Sequence, residues 1–188
     1  MTIDPQERLA LARDLVQQCR IRGDFVLRSG QHSDEYFDKY QFESDPALLA
    51  RVAQQLAPLV PPGTDVLAGL ELGGIPLATA LSLATGLPAA FVRKEAKTYG
   101  TARLAEGAVV AGARCLIIED VVTTGGQIVT STGQLRDAGA IVEDALCVVD
   151  RSGNGAPALA AAGLRFIALF TRDELTAASP PAPDDTLV

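Results

Sequence analysis

The run Ile117-Ile118-Glu119-Asp120-Val121-Val122-Thr123-Thr124-Gly125-Gly126-Gln127 ends an apolar stretch in two adjacent carboxylates and then supplies hydroxyls and paired glycines. Each part has a chemical use. Gly125 and Gly126 let the backbone approach an anion closely, Thr123 and Thr124 add hydroxyl donors, and a helix starting there turns its positive end toward a phosphate. Phosphate alone leaves Glu119 and Asp120 without a task. Acids beside a phosphate suit a ligand that also carries sugar hydroxyls, which donate hydrogen bonds to carboxylates, or a magnesium ion. Ribose 5-phosphate chemistry meets both demands. The plainer alternative is an ordinary strand-to-helix turn, where Asp, Thr and Gly serve as capping residues. The full order of strand, acids, hydroxyls and glycines is more specific than its TTGG fragment, and it lacks the lysine of a Walker A loop and the GxGxxG of a dinucleotide site.

Other residues with chemistry stand elsewhere in the chain. Arg93, Lys94, Lys97 and Arg103 crowd into residues 93–103 of a chain with 16 Lys plus Arg in all. Preorganised cations of this kind stabilise a leaving group that gathers negative charge; a solvated basic loop is the alternative. Arg151, after an apolar run, can grip a carboxylate with two parallel hydrogen bonds, which a lysine does less well. Its alternative is a surface ion pair with Asp150 or Asp173. Tyr36 and Phe37 follow a polar turn and could equally be core residues, since aromatics usually are. His32, the single histidine, sits in that polar turn and is given no catalytic role.

These groups need a scaffold, and the sequence outlines one. A length of 188 residues with 48% hydrophobic content allows one well-buried domain with modest additions. The net charge of -7 argues against a general nucleic-acid binder, which needs a basic face. Cys19, Cys115 and Cys147 form no CxxC pattern, so a reducing cytoplasm is expected rather than a disulfide framework or zinc site. No apolar stretch approaches the roughly 18 residues of a membrane span, and the N-terminus has no signal-peptide pattern.

Asp4, Pro5 and Glu7 mark a helix start with a capping box, followed by the apolar face Leu9, Ala12, Leu15, Val16 and Cys19. DFVLRSGQHSDEYFD reads as two short strands around a turn. Asp45 and Pro46 open a second helix with Leu48, Leu49, Val52, Leu56 and Leu59 on its stripe. From Asp65 short apolar strands alternate with helical segments, the pattern of a parallel sheet covered on both faces. The strands are DVLAGL, PAAFVRK, RCLIIED, AIVEDALCVVD and LRFIALF, with EAKTYGTARLAEG a long polar loop after the second. Asp120 is expected at a solvent-facing strand end, where such sheets bind ligands. Residues 1–45 are expected to hold the N-terminal helix and a small hood, residues 46–175 the core, and residues 176–188 a flexible tail.

Residues 116 to 128 resemble the phosphoribosyl pyrophosphate signature of type I phosphoribosyltransferases. Further segments are similar to those of the orotate phosphoribosyltransferases: FVLRSGQHSDEYFD to their N-terminal segment, VRKEAKTYG to their catalytic loop, VVDRSGNG to the strand end that supplies an orotate-binding arginine, and GLELGGIPLA to their pyrophosphate loop. The resemblance extends from about residue 20 to residue 155. It implies the type I phosphoribosyltransferase fold, an α/β architecture with a central, mostly parallel sheet, helices on both faces and an N-terminal hood.

The reaction it implies joins orotate to phosphoribosyl pyrophosphate, releasing pyrophosphate and forming orotidine 5′-monophosphate in pyrimidine (UMP) biosynthesis. Magnesium is implied as a cofactor held mainly by the substrate diphosphate and ribose hydroxyls, with no protein ligand assigned. A homodimer with shared active sites is implied as well. By the same resemblance the phosphoribosyl pyrophosphate site comprises Glu71, Leu72, Gly73, Gly74, Arg93, Lys94, Lys97 and Tyr99 with Glu119, Asp120, Val121, Val122, Thr123, Thr124, Gly125, Gly126 and Gln127. Orotate is met by Arg28, Tyr36, Phe37, Thr123 and Arg151, and the catalytic set is Lys97, Glu119 and Asp120. One departure stands out: the family's loop usually reads Lys-x-His-Gly, whereas this chain has Lys97-Thr98-Tyr99-Gly100, and Tyr99 carries no positive charge near neutrality. The alternatives are a purine phosphoribosyltransferase and a regulator that senses phosphoribosyl pyrophosphate without catalysis.

Overall fold

The computed structural model describes residues 4–26, 30, 32–95, 104–153 and 157–179. Its first helix, α1 (Pro5–Cys19), begins where Asp4 accepts a hydrogen bond from Gln6 N at 2.9 Å. Glu7, expected to close a capping box, ion-pairs with Arg51 at 2.8 Å. A helix of this length is marginal alone, and burial of Leu11, Leu15, Val16 and Cys19 anchors it to the domain core; each large side chain so buried contributes about 1.5–3 kcal/mol. Leu9, placed on the same face by its spacing, stays half-exposed.

The strands β1 (Arg20–Val26) and β2 (His32–Phe37) pair antiparallel as a two-stranded hood outside the main sheet. The Arg20–Glu35 ion pair at 2.9 Å and the Phe25 and Tyr36 rings, 5.5 Å apart, hold the hairpin together. A short helix that the sequence did not announce, α2 (Tyr40–Ser44), follows and drops Phe42 into the core. Asp45 then caps α3 (Pro46–Leu56), accepting from Ala47 N and Leu48 N.

The remaining elements are β3 (Val66–Leu70), α4 (Gly74–Thr85), β4 (Ala89–Val92), β5 (Ala105–Gly107), β6 (Arg114–Val122), α5 (Gly126–Asp137), β7 (Ile141–Asp150), α6 (Pro157–Ala161), β8 (Arg165–Thr171) and α7 (Arg172–Ala178), and the five strands expected from sequence are β3, β4, β6, β7 and β8. The sheet order is β5-β4-β3-β6-β7-β8, parallel throughout except for β5. Along β6 the side chains alternate between two cores: Leu116 and Ile118 face α1, α3 and α4, whereas Cys115 and Ile117 face α5 and α6.

Three expectations need correction. The polar stretch read as one loop ends in the antiparallel edge strand β5, paired through Phe91↔Glu106; three residues are too few to show strand alternation. β6 continues past the acid pair to Val122, because Val121 and Val122 still pair with β7. Helix α7 carries Thr176, Ala177 and Ala178 out of the expected tail, with Ala178 buried and a Thr171–Glu174 capping box at its start. Residues 180–188 lie outside the described residues.

Candidate active site

Chain order changes direction between β3 and β6: β3 leads outward to β4 on one side, while β6 leads to β7 on the other. In open parallel sheets the crevice beyond such a switch point is where ligands bind. The turn at 71–73 and the turn at 123–125 are the two that diverge there. Gly125 takes φ 73°, which a side chain would strain, and α5 starts with no side-chain cap. Gly126 N makes only a long contact to Thr124 Oγ1, at 3.5 Å, so the first amides can turn to an anion, with the positive helix end behind them. Thr123 and Thr124 are exposed beside them. Gln127 donates to Ser131 at 3.0 Å. The backbone of the preceding valines is engaged: Val121 N donates to Asp120 Oδ1 at 2.5 Å, and Val122 O accepts from Arg151 N at 2.8 Å.

Asp120 is not solvent-facing as the sequence suggested; it is fully buried. Its place in the strand sends it to the Ile118 side, under α2 and the 71–73 turn, where neighbours close over it. The Lys39 ammonium stands 2.5 Å from Asp120 Oδ2. At that distance the contact is a charge-assisted hydrogen bond as well as an ion pair. Glu43, also buried, comes down from α2. Gly73 closes the cluster, since a Cβ there would overlap Asp120 Oδ2 and lie 2.8 Å from Glu43 Oε1. A Cβ on Gly74 would in turn overlap the Ile118 carbonyl. Neither glycine is needed for a positive φ; both are needed for space. The Glu71–Leu72 peptide is cis.

The acids are electrostatically unequal. Burial, then the charge of Asp120, pushes Glu119 up to about 9 and Glu43 up to about 8. Burial alone would lower the Lys39 ammonium, but Asp120 and Glu119 hold it above the ordinary lysine value. The cluster thus has one firm cation and two carboxyls that favour the neutral form.

The basic segment is tied to the crevice at its base. Lys94 N donates to Glu71 Oε1 at 2.9 Å, and Arg93 N donates to Leu104 O at 3.0 Å. Arg93 Nε is buried without a hydrogen-bond partner among the described residues. Lys97, Tyr99 and Arg103, expected in the same site, lie outside the described residues, as does Arg28.

Tyr36, Phe37 and Arg151 meet at a separate cavity of about 210 Å³ under the hood, joined there by Arg20, Glu35 and Arg172. Arg20 is neutralised by Glu35. Among the described residues neither Arg151 nor Arg172 has an ion pair, and Asp150, one expected partner, instead accepts from Ser152 N and Oγ at 2.8 and 2.5 Å. Burial and then the adjacent Arg172 lower the Arg151 guanidinium below its ordinary value, as expected where two cations await an anion. Lys39, Glu43 and Arg172 were not singled out from sequence. Arg172 was recoverable from strand register: Asp150 pairs with Thr171, so the next residues, Arg151 and Arg172, leave the sheet side by side. Lys39 and Glu43 carried no local signal, because α2 is too short to show a period.

Comparison with known proteins adds an independent line. The model of the phosphoribosyl transferase domain family matches residues 40–158. An orotate phosphoribosyltransferase of Nocardioides sp. is 53% identical over 178 residues, covering 95% of this chain and 97% of that protein. The crystal structure of Mycobacterium tuberculosis orotate phosphoribosyltransferase in complex with Fe(III) dicitrate superposes with a TM-score of 0.81 at 34% identity, covering 90% of this chain and 98% of the other. The same enzyme in complex with 5-phospho-α-D-ribosyl 1-diphosphate gives 0.78 at 31% identity, covering 90% and 99%.

Proposed function

We infer that this chain, which belongs to the orotate phosphoribosyltransferase family, transfers the phosphoribosyl group of phosphoribosyl pyrophosphate to orotate in pyrimidine (UMP) biosynthesis. The observation that carries the reading is the β3–β6 crevice, where an uncapped helix start, a buried carboxyl cluster and a glycine-packed turn stand on one edge of the sheet. In the reaction the bond from ribose C1 to the pyrophosphate oxygen breaks, and its electron pair leaves on pyrophosphate. A bond from C1 to a ring nitrogen of orotate forms as that nitrogen gives up its proton.

We assign the 5-phosphate to the amides of Gly125, Gly126 and Gln127 and the hydroxyls of Thr123 and Thr124, all at the start of α5. Glu119 and Asp120 take the ribose hydroxyls, and Asp120, paired with Lys39, opposes the positive charge that grows on the sugar. The turn Glu71-Leu72-Gly73-Gly74 and the cations Arg93, Lys94 and Lys97, with Tyr99, face the departing diphosphate, and Lys97 is the foremost catalytic cation of the set. Orotate enters the hood cavity. Its carboxylate suits Arg151 and Arg172, an arrangement that an uncharged purine would leave unpaired. Arg28, Tyr36, Phe37 and Thr123 complete the base site.

Magnesium belongs to the reading as a partner of the substrate, where it would neutralise charge on the departing diphosphate. The hard carboxyl oxygens at the crevice fit hydroxyls that bridge to such an ion. In this reading the ion is held mainly by the substrate diphosphate and ribose hydroxyls.

The working unit in this reading is a homodimer, with the loop that follows Lys94 and ends at β5 reaching a neighbour's site. Its base is closed between Arg93 and Leu104, so the covalent reach of the intervening residues is at most about 20 Å. The setting is cytoplasmic, in keeping with three buried free cysteines. Among the described residues no helix is long and apolar enough to cross a membrane. Loss of orotate absorbance in the ultraviolet, dependent on phosphoribosyl pyrophosphate and magnesium, tests the function. Orotate left unconsumed by folded protein with both present would overturn it.

A further inference from the structure

Lys39 lies outside every motif that marks the site, yet its ammonium reaches the most buried carboxylate in the crevice. It precedes α2, and its side chain keeps 29% exposure while Asp120 keeps none. The ammonium also stands 5.3 Å from the centre of the Tyr40 ring, which steadies it from outside. On the inner side Gly73 leaves no room between its backbone and Asp120, so the carboxylate cannot retreat from the lysine.

The surroundings make this one cation decisive. Glu119 shares β6 with Asp120, and Glu43 faces it from α2, with Asp38 close behind. From β7 the buried Cys147 thiol feels the charges of Asp150, Glu119 and Asp120. Among the described residues Lys39 is the one cation in an ion pair with this cluster. A desolvated cluster of three carboxyls with a single ammonium supports a single carboxylate, because each further charge would be buried without a partner. Geometry selects which one: only Asp120 has the ammonium at contact distance. The upward displacement of Glu43 and Glu119 agrees with that division.

We propose that Lys39 is a positioning residue for phosphoribosyl transfer: its ammonium fixes the negative charge of the carboxyl cluster on Asp120, so that the sugar cation always develops against the same anion. The inference rests on the transfer reaction proposed above. An ammonium serving only to pin α2 to the sheet would affect stability and leave the ionisation that controls turnover where it was.

The test compares the pH dependence of kcat in the wild-type chain, Lys39→Met and Lys39→Arg. An opposite charge in contact favours the ionised form of a carboxyl. Losing it moves the acidic limb of the Lys39→Met profile upward, and turnover below the new limb falls about tenfold per unit. Lys39→Arg returns the limb toward its wild-type position. Circular dichroism confirms that the variants fold, and carbon-13 NMR of the aspartate carboxyls reads the Asp120 titration without any turnover. A limb and an Asp120 titration that stay in place in folded Lys39→Met overturn the proposal. A wild-type chain that consumes no orotate refutes the transfer reading instead, and the NMR titration then still decides whether Lys39 sets the charge on Asp120.

Discussion

Replacing Gly73 by alanine adds one methyl group where the crevice has no room for it. The backbone there is ordinary right-handed helical, φ −69° and ψ −27°, so alanine brings no conformational strain. The whole effect must come from the new Cβ, which would overlap Asp120 Oδ2, lie 2.6 Å from Asp120 Cγ and lie 2.8 Å from Glu43 Oε1. Relief requires the carboxylate or the turn to move by about 1 Å, a misplacement that can cost about 10²-fold in rate. Overpacking of this kind costs about 1–3 kcal/mol, a fall in Tm of about 2–12 °C for a chain of this size. Initial rates from orotate absorbance and thermal unfolding by circular dichroism read the two effects. Gly133→Ala is the matched control: nothing lies within 4 Å of its Cβ, and alanine inside α5 should raise stability by up to about 1 kcal/mol with turnover unchanged. A Gly73→Ala enzyme with wild-type kcat would refute the claim that the packing of this turn sets the position of Asp120.

Arg151→Ala should raise KM for orotate about 10- to 100-fold, as expected for a lost charged hydrogen-bonding partner, while KM for phosphoribosyl pyrophosphate changes far less; equal rises would contradict its place at the base. Mixing inactive Lys97→Ala chains with inactive Asp120→Asn chains should restore about a quarter of wild-type activity, because half of the random dimers are hybrids with one intact site. No recovery after subunit exchange, checked by mass spectrometry, rules out a shared site. Glu43 and Glu119 are held at about 8 and about 9 in the folded chain, against an ordinary 4.5, so the folded state keeps protons that the unfolded chain releases. Their contribution to stability is full below about pH 4.5 and lost as pH rises through about 8 to 9. The Tm of the ligand-free protein should therefore fall over that window and fall less in Glu43→Gln; an identical slope in the variant would count against the shared cluster.

What the sequence revealed and what it hid follow from how each feature is encoded. The run from Ile117 to Gln127 is contiguous, and one strand end and one helix start bring its groups together, so its chemistry could be read without coordinates. Arg151 was legible for the same reason. Its neighbour Arg172 depends on the pairing of β7 with β8, which no local pattern fixes. The burial of Asp120 depends on α2, a helix of 5 residues, and on the close approach of Gly73 from the turn after β3. Gly73 itself was visible as a glycine before a helix, but the reason for it was spatial rather than conformational. The edge strand β5 was hidden by the polar composition that made its surroundings read as loop.

The central claim is that the β3–β6 crevice and the hood cavity together deliver phosphoribose to orotate. The most direct measurement supplies the wild-type protein with magnesium, phosphoribosyl pyrophosphate and equal amounts of orotate, adenine and hypoxanthine, and identifies the nucleotide formed by mass spectrometry. The account predicts orotidine 5′-monophosphate alone, matched mole for mole by pyrophosphate. A purine nucleotide as the main product, or pyrophosphate release without orotidine 5′-monophosphate, would contradict it.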